Sequence, residues 1–381
     1  MANPGLTDDQ IREAFEALEA HDTKLGAANH LGISAGAFNN RIRVGTTRGY
    51  SPDHDMNHIA PEGFALIGTS TLYGPEGEMK NQWVKTTRDA QRQQEAIDAA
   101  IMSFKDELPR AAPIKAPIAD NKDIITVYPV SDHHFGMLAW HEETGGDDYD
   151  TKIAEDLLCA AMDYLVKGAP KSEQCAILIL GDFLHYDGMA PVTPASGHLL
   201  DSDSRYAQVV RAAMRSIRFM VSKALQKHDT VNLILEIGNH DPSSTIMLME
   251  MFFMHFENEP RVIVDRSPRN IHMLEFGKNL ICTHHGDKIK MDKLPLVIAD
   301  DFSEAWGRTK NRVVHTGHVH HDHIKEHPGM STESHGILAP KDAYAANGGW
   351  RAKQSMKAIY YHRAGREVGR NIANAEMFLH G

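Results

Sequence analysis

Five short strand-like runs after residue 122 each break off into a tight polar segment bearing histidine, aspartate or asparagine. That repetition constrains the fold more than any other feature of the chain. Ile124–Tyr128 leads to Ser131-Asp132-His133-His134, and Ala176–Leu180 to Gly181-Asp182-Phe183-Leu184-His185. Val231–Ile237 leads to Gly238-Asn239-His240-Asp241, Leu280–Thr283 to His284-His285-Gly286-Asp287, and Arg312–His315 to Gly317-His318-Val319-His320. Continuous apolar runs of this length read as buried strands. Between them, Thr151–Val166, Ser204–Lys227 and the Met-rich Ile246–Phe256 read as helices, and further strands are expected at Arg261–Val264 and Ala358–Tyr361. Strand alternating with helix predicts an α/β layered fold, with the chemistry in the loops at the strand C-terminal ends.

Composition agrees with chemistry in this region. Of 24 histidines, 20 follow residue 122, and imidazole is both the commonest metal ligand and a physiological acid–base group. A 381-residue chain that is 42% hydrophobic can bury a sizeable core, and its length suggests roughly two to three domains. The net charge of −11 argues against gripping nucleic acid with the whole surface. Three dispersed cysteines, Cys159, Cys175 and Cys282, make no disulfide framework and point to a reducing, cytoplasmic setting. The longest near-apolar stretch, Ile246–Phe253, is interrupted by Glu250 and is far short of the ~20 residues of a spanning helix. The start of the chain has no basic segment leading into an apolar run, so no secretory leader is expected.

Residues 1–50 read as a small helical domain. Thr7-Asp8-Asp9-Gln10 has the form of a capping box opening an amphipathic run through Ile11, Ala14, Phe15 and Leu18. Gly32 as a breaker and Ser34 as an N-cap then separate two further helices, the last bearing Ala37, Phe38, Ile42, Arg41 and Arg43. This resembles the helix-turn-helix DNA-binding motif, although residues 1–50 hold five Lys/Arg against six Asp/Glu. A protein-binding bundle is the other reading. Residues 51–121 read as a linker with a β-hairpin, Phe64–Tyr73 and Gln82–Lys85, that could be a wing. A helix-compatible stretch follows from Arg88 to Leu108, and prolines at 109, 113 and 117 precede a domain over 122–381.

The ordered motifs D-x-H, G-D-x-x-H, G-N-H-D, an isolated H after a strand, and G-H-x-H resemble the calcineurin-like metallophosphoesterase superfamily over residues 122 to about 360. The resemblance implies a four-layer αββα sandwich holding two divalent metals. Asp132, His134 and His320 would hold one and Asn239, His284 and His318 the other, with Asp182 bridging. Either His284 or His285 follows the strand; His284 is favoured because the family's ligand comes directly after the apolar run. Nitrogen and oxygen donors without thiolate suit Mn²⁺, Fe²⁺ or Zn²⁺, and the family's nuclease-like members imply Mn²⁺. His240 would protonate the leaving oxygen, with Asp241 orienting its ring, while a hydroxide held between the metals attacks phosphorus in line. His185, three residues after the bridging aspartate, is similar to the SbcD-type DNA repair nucleases. His133 is expected to point away from the metals, and Cys282 to pack in the core.

The resulting expectation is a two-metal-dependent phosphodiesterase, a DNA nuclease, brought to nucleic acid by its N-terminal unit. The pairing of such a unit with such an enzyme also resembles chains encoded by bacteriophages. The main rival is a phosphatase or cyclic phosphodiesterase on small nucleotides, with residues 1–50 serving homo-oligomerisation. A metal-free protein-binding scaffold and a DNA-binding regulator are the remaining alternatives. No membrane partner is expected. Arg205, Arg211, Arg215 and Arg218 are a candidate basic stripe, and Trp350 a candidate stacking residue.

Overall fold

A computed structural model of the chain describes residues 6–21, 23–47, 64–73, 79–88, 110–118, 121–194 and 196–379. The expected helix between Arg88 and Leu108 lies outside the described residues. The chain divides into two compact units, Met1–Glu95 and Ala96–Gly381.

In the first unit, α1 (Asp8–Ala20) opens on a capping box in which Thr7 and Gln10 exchange side-chain-to-backbone hydrogen bonds, as the sequence predicts. The helices α2 (Lys24–His30) and α3 (Ala35–Thr47) follow. Ser34 Oγ accepts the Ala37 N–H at 3.1 Å. Ala14, Ala17, Ala27, Ala28 and Phe38 form the small core. Arg41 is turned inward: its guanidinium donates to the Gln10 carbonyl at 3.4 Å and pairs with Glu13 at 3.6 Å. β1 (Phe64–Tyr73) and β2 (Met79–Arg88) pair antiparallel, giving the expected hairpin a longer second strand.

The second unit is an α/β sandwich. One sheet contains β3 (Asn121–Val130), β4 (Ser172–Ile179), β5 (Thr230–Leu235), β6 (Val262–Val264), β12 (Ser355–His362) and β13 (Glu367–Asn374), in the order β13-β12-β3-β4-β5-β6. Its β3-β4-β5-β6 core is parallel, and β12 and β13 close one edge antiparallel. The other sheet contains β7 (His272–Phe276), β8 (Asn279–His284), β9 (Asn311–Thr316), β10 (His323–His327) and β11 (Met330–Ser334), in the order β10-β11-β9-β8-β7.

Period-two alternation sorts each strand into two layers. Leu178 of β4, with Leu180, Val127, Ile234 and Ile359, faces Phe276 and Ile281 of the other sheet. Ile177 and Ile179 face the opposite way, under α5 (Thr151–Gly168), α6 (Tyr206–Leu225) and α7 (Pro242–His255), whose Leu158, Leu165, Ile217, Met220 and Phe252 complete the largest core cluster. The outer face of the five-stranded sheet, with Leu280, Cys282, Val314 and Met330, is covered by α8 (Leu294–Asp301) and α9 (Ser303–Arg308). The layers therefore run αββα, the fold class expected from the sequence. Each fully buried Leu, Ile or Phe contributes ~1.5–3 kcal/mol of transfer free energy. Three short helices, α4 (His141–Thr144), α10 (Ala343–Gly348) and α11 (Glu376–Leu379), complete the unit. β7, β10, β11 and β13 were not expected; polar strands such as His-Ile-Lys-Glu-His carry no continuous apolar run.

Candidate metal centre

The parallel strands β3, β4 and β5 end on one edge of their sheet, and β8 and β9 bring their own ends to the same place. Backbone bonds lock the first two loops together: His134 N–H donates to the Asp182 carbonyl at 3.1 Å, and Phe135 N–H to that of Phe183 at 2.8 Å. Five non-glycine residues among those described have positive φ: Asp132 at 42°, His134 at 53°, Asp182 at 48°, His318 at 68° and His320 at 60°. Side chains rarely adopt this region, and each such residue costs ~1–3 kcal/mol. All five belong to the site expected from the sequence. The surrounding sheets hold the strain, and its effect is to aim alternate side chains at a common point.

Glycine permits the close approach. A Cβ on Gly238 would overlap the Asp182 backbone nitrogen and carboxylate, and one on Gly181, at φ 91°, would overlap the His285 ring.

The donors fall into two adjacent groups. In the first, His320 Nε2 lies 3.4 Å from Asp132 Oδ1 and 3.4 Å from His134 Nε2. Both Asp132 carboxylate oxygens accept the His318 N–H, at 2.9 and 2.8 Å, and Ser131 Oγ donates to one of them. In the second, His285 Nε2 lies 3.2 Å from Asp182 Oδ2 and 3.0 Å from Asn239 Oδ1, and the His318 ring stands 5.1 Å from that of His285. Two ligand atoms held ~2.1 Å from one ion sit roughly 3.0–3.4 Å apart at octahedral or tetrahedral angles. The spacing and the oxygen–nitrogen donor set therefore fit divalent cations of the Mn²⁺, Fe²⁺ or Zn²⁺ kind.

Protonation also suits ligation. Burial, reinforced by the neighbouring His240, His185 and His320, pushes His134 well below the usual imidazole range, leaving it neutral. Burial works against charge on His285 as well, but the Asp182 carboxylate beside it wins and holds the ring protonated, so the two form a buried ion pair. A cation on those atoms takes the place of that proton.

The preference for His284 is corrected by this geometry. His284 shares the strand parity of Leu280 and Cys282, which pack outward under α8, and its Nδ1 accepts the Gly286 N–H at 2.8 Å. His285 shares the parity of Ile281, which faces the other sheet, and so reaches Asp182. The parity of β8 was a usable signal in the sequence.

The three residues expected to act on substrate are also placed. His240 Nδ1 donates to the His185 carbonyl at 2.8 Å, and its Nε2 lies 4.0 Å from Asp182 Oδ2. The ring is therefore oriented by the His185 backbone and not by Asp241, a second correction. Asp241 is buried, and one of its oxygens accepts the Leu184 N–H at 2.9 Å, bracing the loop after Asp182. Burial and the Asp182 charge push its carboxyl up to about 8. His185 Nδ1 lies 3.2 Å from His134 Nδ1, and its ring stacks on His240 with centroids 5.5 Å apart. Burial, with His240 nearby, lowers it to about 3.

His133 points away, as expected, bonding the Ala154 carbonyl at 2.9 Å beside Phe135. Arg215 of the candidate basic stripe donates to Glu155 at 2.7 Å. Sequence reasoning missed Ser131 and the buried Glu236, which accepts from Thr283 Oγ1 behind the Asn239 loop. Neither position carries a motif.

No family model matches the chain, and no curated protein matches it. Among solved structures it is similar to a predicted phosphoesterase from Streptococcus pneumoniae TIGR4, at 10% identity over 66% of this chain and 98% of that one, with a TM-score of 0.26. It is similar also to Vps29 of Chaetomium thermophilum, at 10% identity over 66% and 99%, TM-score 0.30. Vps29 of Entamoeba histolytica complexed with Zn²⁺ shows 10% identity over 66% and 99%, TM-score 0.26. Likeness at this level transfers no function, so the functional reading rests on the site itself.

Proposed function

We propose that the chain is a metal-dependent phosphodiesterase acting on DNA, with two divalent cations, Mn²⁺ foremost, held by Asp132, His134 and His320 and by Asn239, His285 and His318, and Asp182 between the groups. The observation that carries this reading is the convergence of carboxylate, amide and imidazole donors from five strand ends at coordination spacing, on backbone strained at Asp132, His134, Asp182, His318 and His320. Cations bound there supply charge neutralisation on the phosphoryl oxygens and acidify water.

The chain's own residues do the rest. The His185 carbonyl can only accept, so His240 carries a proton on Nδ1 and leaves Nε2 on the side of Asp182, 4.0 Å from Oδ2. When the ring is doubly protonated, Nε2–H is the proton available to a leaving alkoxide. His185, stacked on His240, keeps the ring plane fixed. The centre is open at its rim, where His318 is exposed and Val319 is 40% exposed. An open rim suits a polymer that extends past the site. The acidic balance of the chain, −11, favours instead a small nucleotide.

Hydrolysis of labelled single- and double-stranded DNA, a chromogenic diester and a monoester, with Mn²⁺ added, decides between them. Cleavage of DNA by the intact chain and its loss in Asp182→Asn and His240→Gln supports the proposal. Hydrolysis of only the small esters replaces the substrate and keeps the metal centre. The N-terminal helices are proposed to bring the chain to nucleic acid, and Arg43→Glu in the intact chain is then expected to weaken retention on duplex DNA.

A further inference from the structure

α10 is a helix with no buried residue, yet it carries large aromatic surface. Tyr344 is 70% exposed and Trp350, just past its end, is 56% exposed; their ring centroids lie 5.1 Å apart. Large exposed aromatics side by side mark a binding surface more often than chance. This pair is built rather than loose. Asp342 caps the helix by accepting the Ala345 N–H at 2.8 Å, the Trp350 N–H returns to the Ala345 carbonyl at 3.0 Å, and the indole lies against Gly348. Lys341 ties the segment to α4 by donating to the Gly145 carbonyl at 3.1 Å.

Its position and charge indicate the occupant. The Gly336 N–H donates to Asp322 Oδ1 at 2.7 Å and Ser334 Oγ to the His321 carbonyl at 2.8 Å, so the segment that leads into α10 is tied to the loop carrying His318 and His320. Between residues 341 and 353 the chain has Lys341, Arg351 and Lys353 against the single acid Asp342, a locally basic stretch in a chain of net charge −11. Aromatic faces flanked by cations are the chemistry that takes unpaired bases along a phosphate backbone. Paired bases keep their faces inside the duplex stack and cannot use such a surface.

We propose that Tyr344 and Trp350 form a stacking platform for an unpaired nucleobase of a polynucleotide strand whose backbone lies at the metal centre. This rests on the phosphodiesterase reading and deepens it, assigning single-stranded nucleic acid, or a frayed end, as the substrate. Neither residue touches the reacting atoms; both select and position the strand.

The test is fluorescence anisotropy of the full chain, with EDTA to prevent cleavage. The probes are an oligothymidylate of about 15 nucleotides, an abasic strand of equal length, and the corresponding duplex. The intact chain is expected to bind the oligothymidylate about tenfold more tightly than the abasic strand, the scale of one stacked base. Trp350→Ala and Tyr344→Ala are expected to lose that preference while the abasic strand binds as before, and Trp350→Phe to restore most of it, which excludes misfolding as the cause. Equal binding of base-bearing and abasic strands by the intact chain overturns the proposal. So does a preference that survives both alanine variants, or tighter binding of the duplex. Failure of the phosphodiesterase reading is read separately, as an intact chain that keeps its base preference but cuts no phosphodiester when Mn²⁺ is supplied.

Discussion

The His240 backbone N–H donates to Asp182 Oδ1 at 2.8 Å, while the same residue's Nε2 stands 4.0 Å from Asp182 Oδ2. One carboxylate thus fixes the loop that carries His240, and its other oxygen faces His285 at 3.2 Å. The group proposed to bridge two cations also sets where the proposed proton donor stands, so on that proposal a change at Asp182 would act on metal binding and on proton donation together.

Replacing Asp182 with Asn therefore affects both. Elemental analysis of Asp182→Asn is expected to show metal content falling below that of the intact chain. Phosphodiester hydrolysis is expected to fall by more than ~100-fold, because disturbing the partners of ligands alone typically costs ~10–100-fold. Full metal content in this variant would remove Asp182 from the centre.

His285 and His284 separate cleanly. His285→Ala is expected to lower metal affinity and activity together, whereas His284→Ala keeps both to within a few-fold, since its ring faces away from Asp182. The reverse pattern in a metal titration would restore the neighbouring histidine as the ligand.

His240→Gln keeps a side chain of similar reach but cannot deliver a proton. Its rate on a diester with a poor leaving group is expected to drop by ~10²–10⁴. A nitrophenolate leaving group needs little protonation, so the loss there should be much smaller. Equal losses on the two substrates would show that His240 binds rather than donates.

A second histidine cluster is expected to add to the acid sensitivity of the fold. Between the sheets, His315 Nδ1 lies 2.9 Å from His335 Nε2, and Tyr361 Oη lies 3.1 Å from His315 Nε2. Burial lowers His315 to about 3 and His335 well below its ordinary value. Both are neutral in the folded chain but take protons near 6.5 when unfolded. Their contribution is present above about pH 6.5 and is lost as pH falls toward 3. The Tm is expected to be lower at about pH 5 than at about pH 7.5, and His335→Gln to narrow that difference. A Tm independent of pH across this window would contradict the burial of the pair.

The α/β class, most strands of the second unit and the three N-terminal helices were legible in the sequence, because continuous apolar runs and capping residues act locally. That Asp132, His134, Asp182, Asn239, His318 and His320 stand just past strand ends was legible for the same reason, while their assignment as ligands came from the resemblance of the ordered motifs. Three things became definite only in the tertiary structure. His285 was selected over His284 by the face of β8 that meets the other sheet. The His240 ring was oriented by the carbonyl of His185, a group 55 residues away. The left-handed backbone at Asp132, His134, Asp182, His318 and His320 is a region that Asp and His enter more readily than most residues, but it still costs ~1–3 kcal/mol at each position. Only when two sheets pack and lock those loops to one another is the strain outweighed, and only then do donors as far as 188 residues apart in sequence, Asp132 and His320, come together.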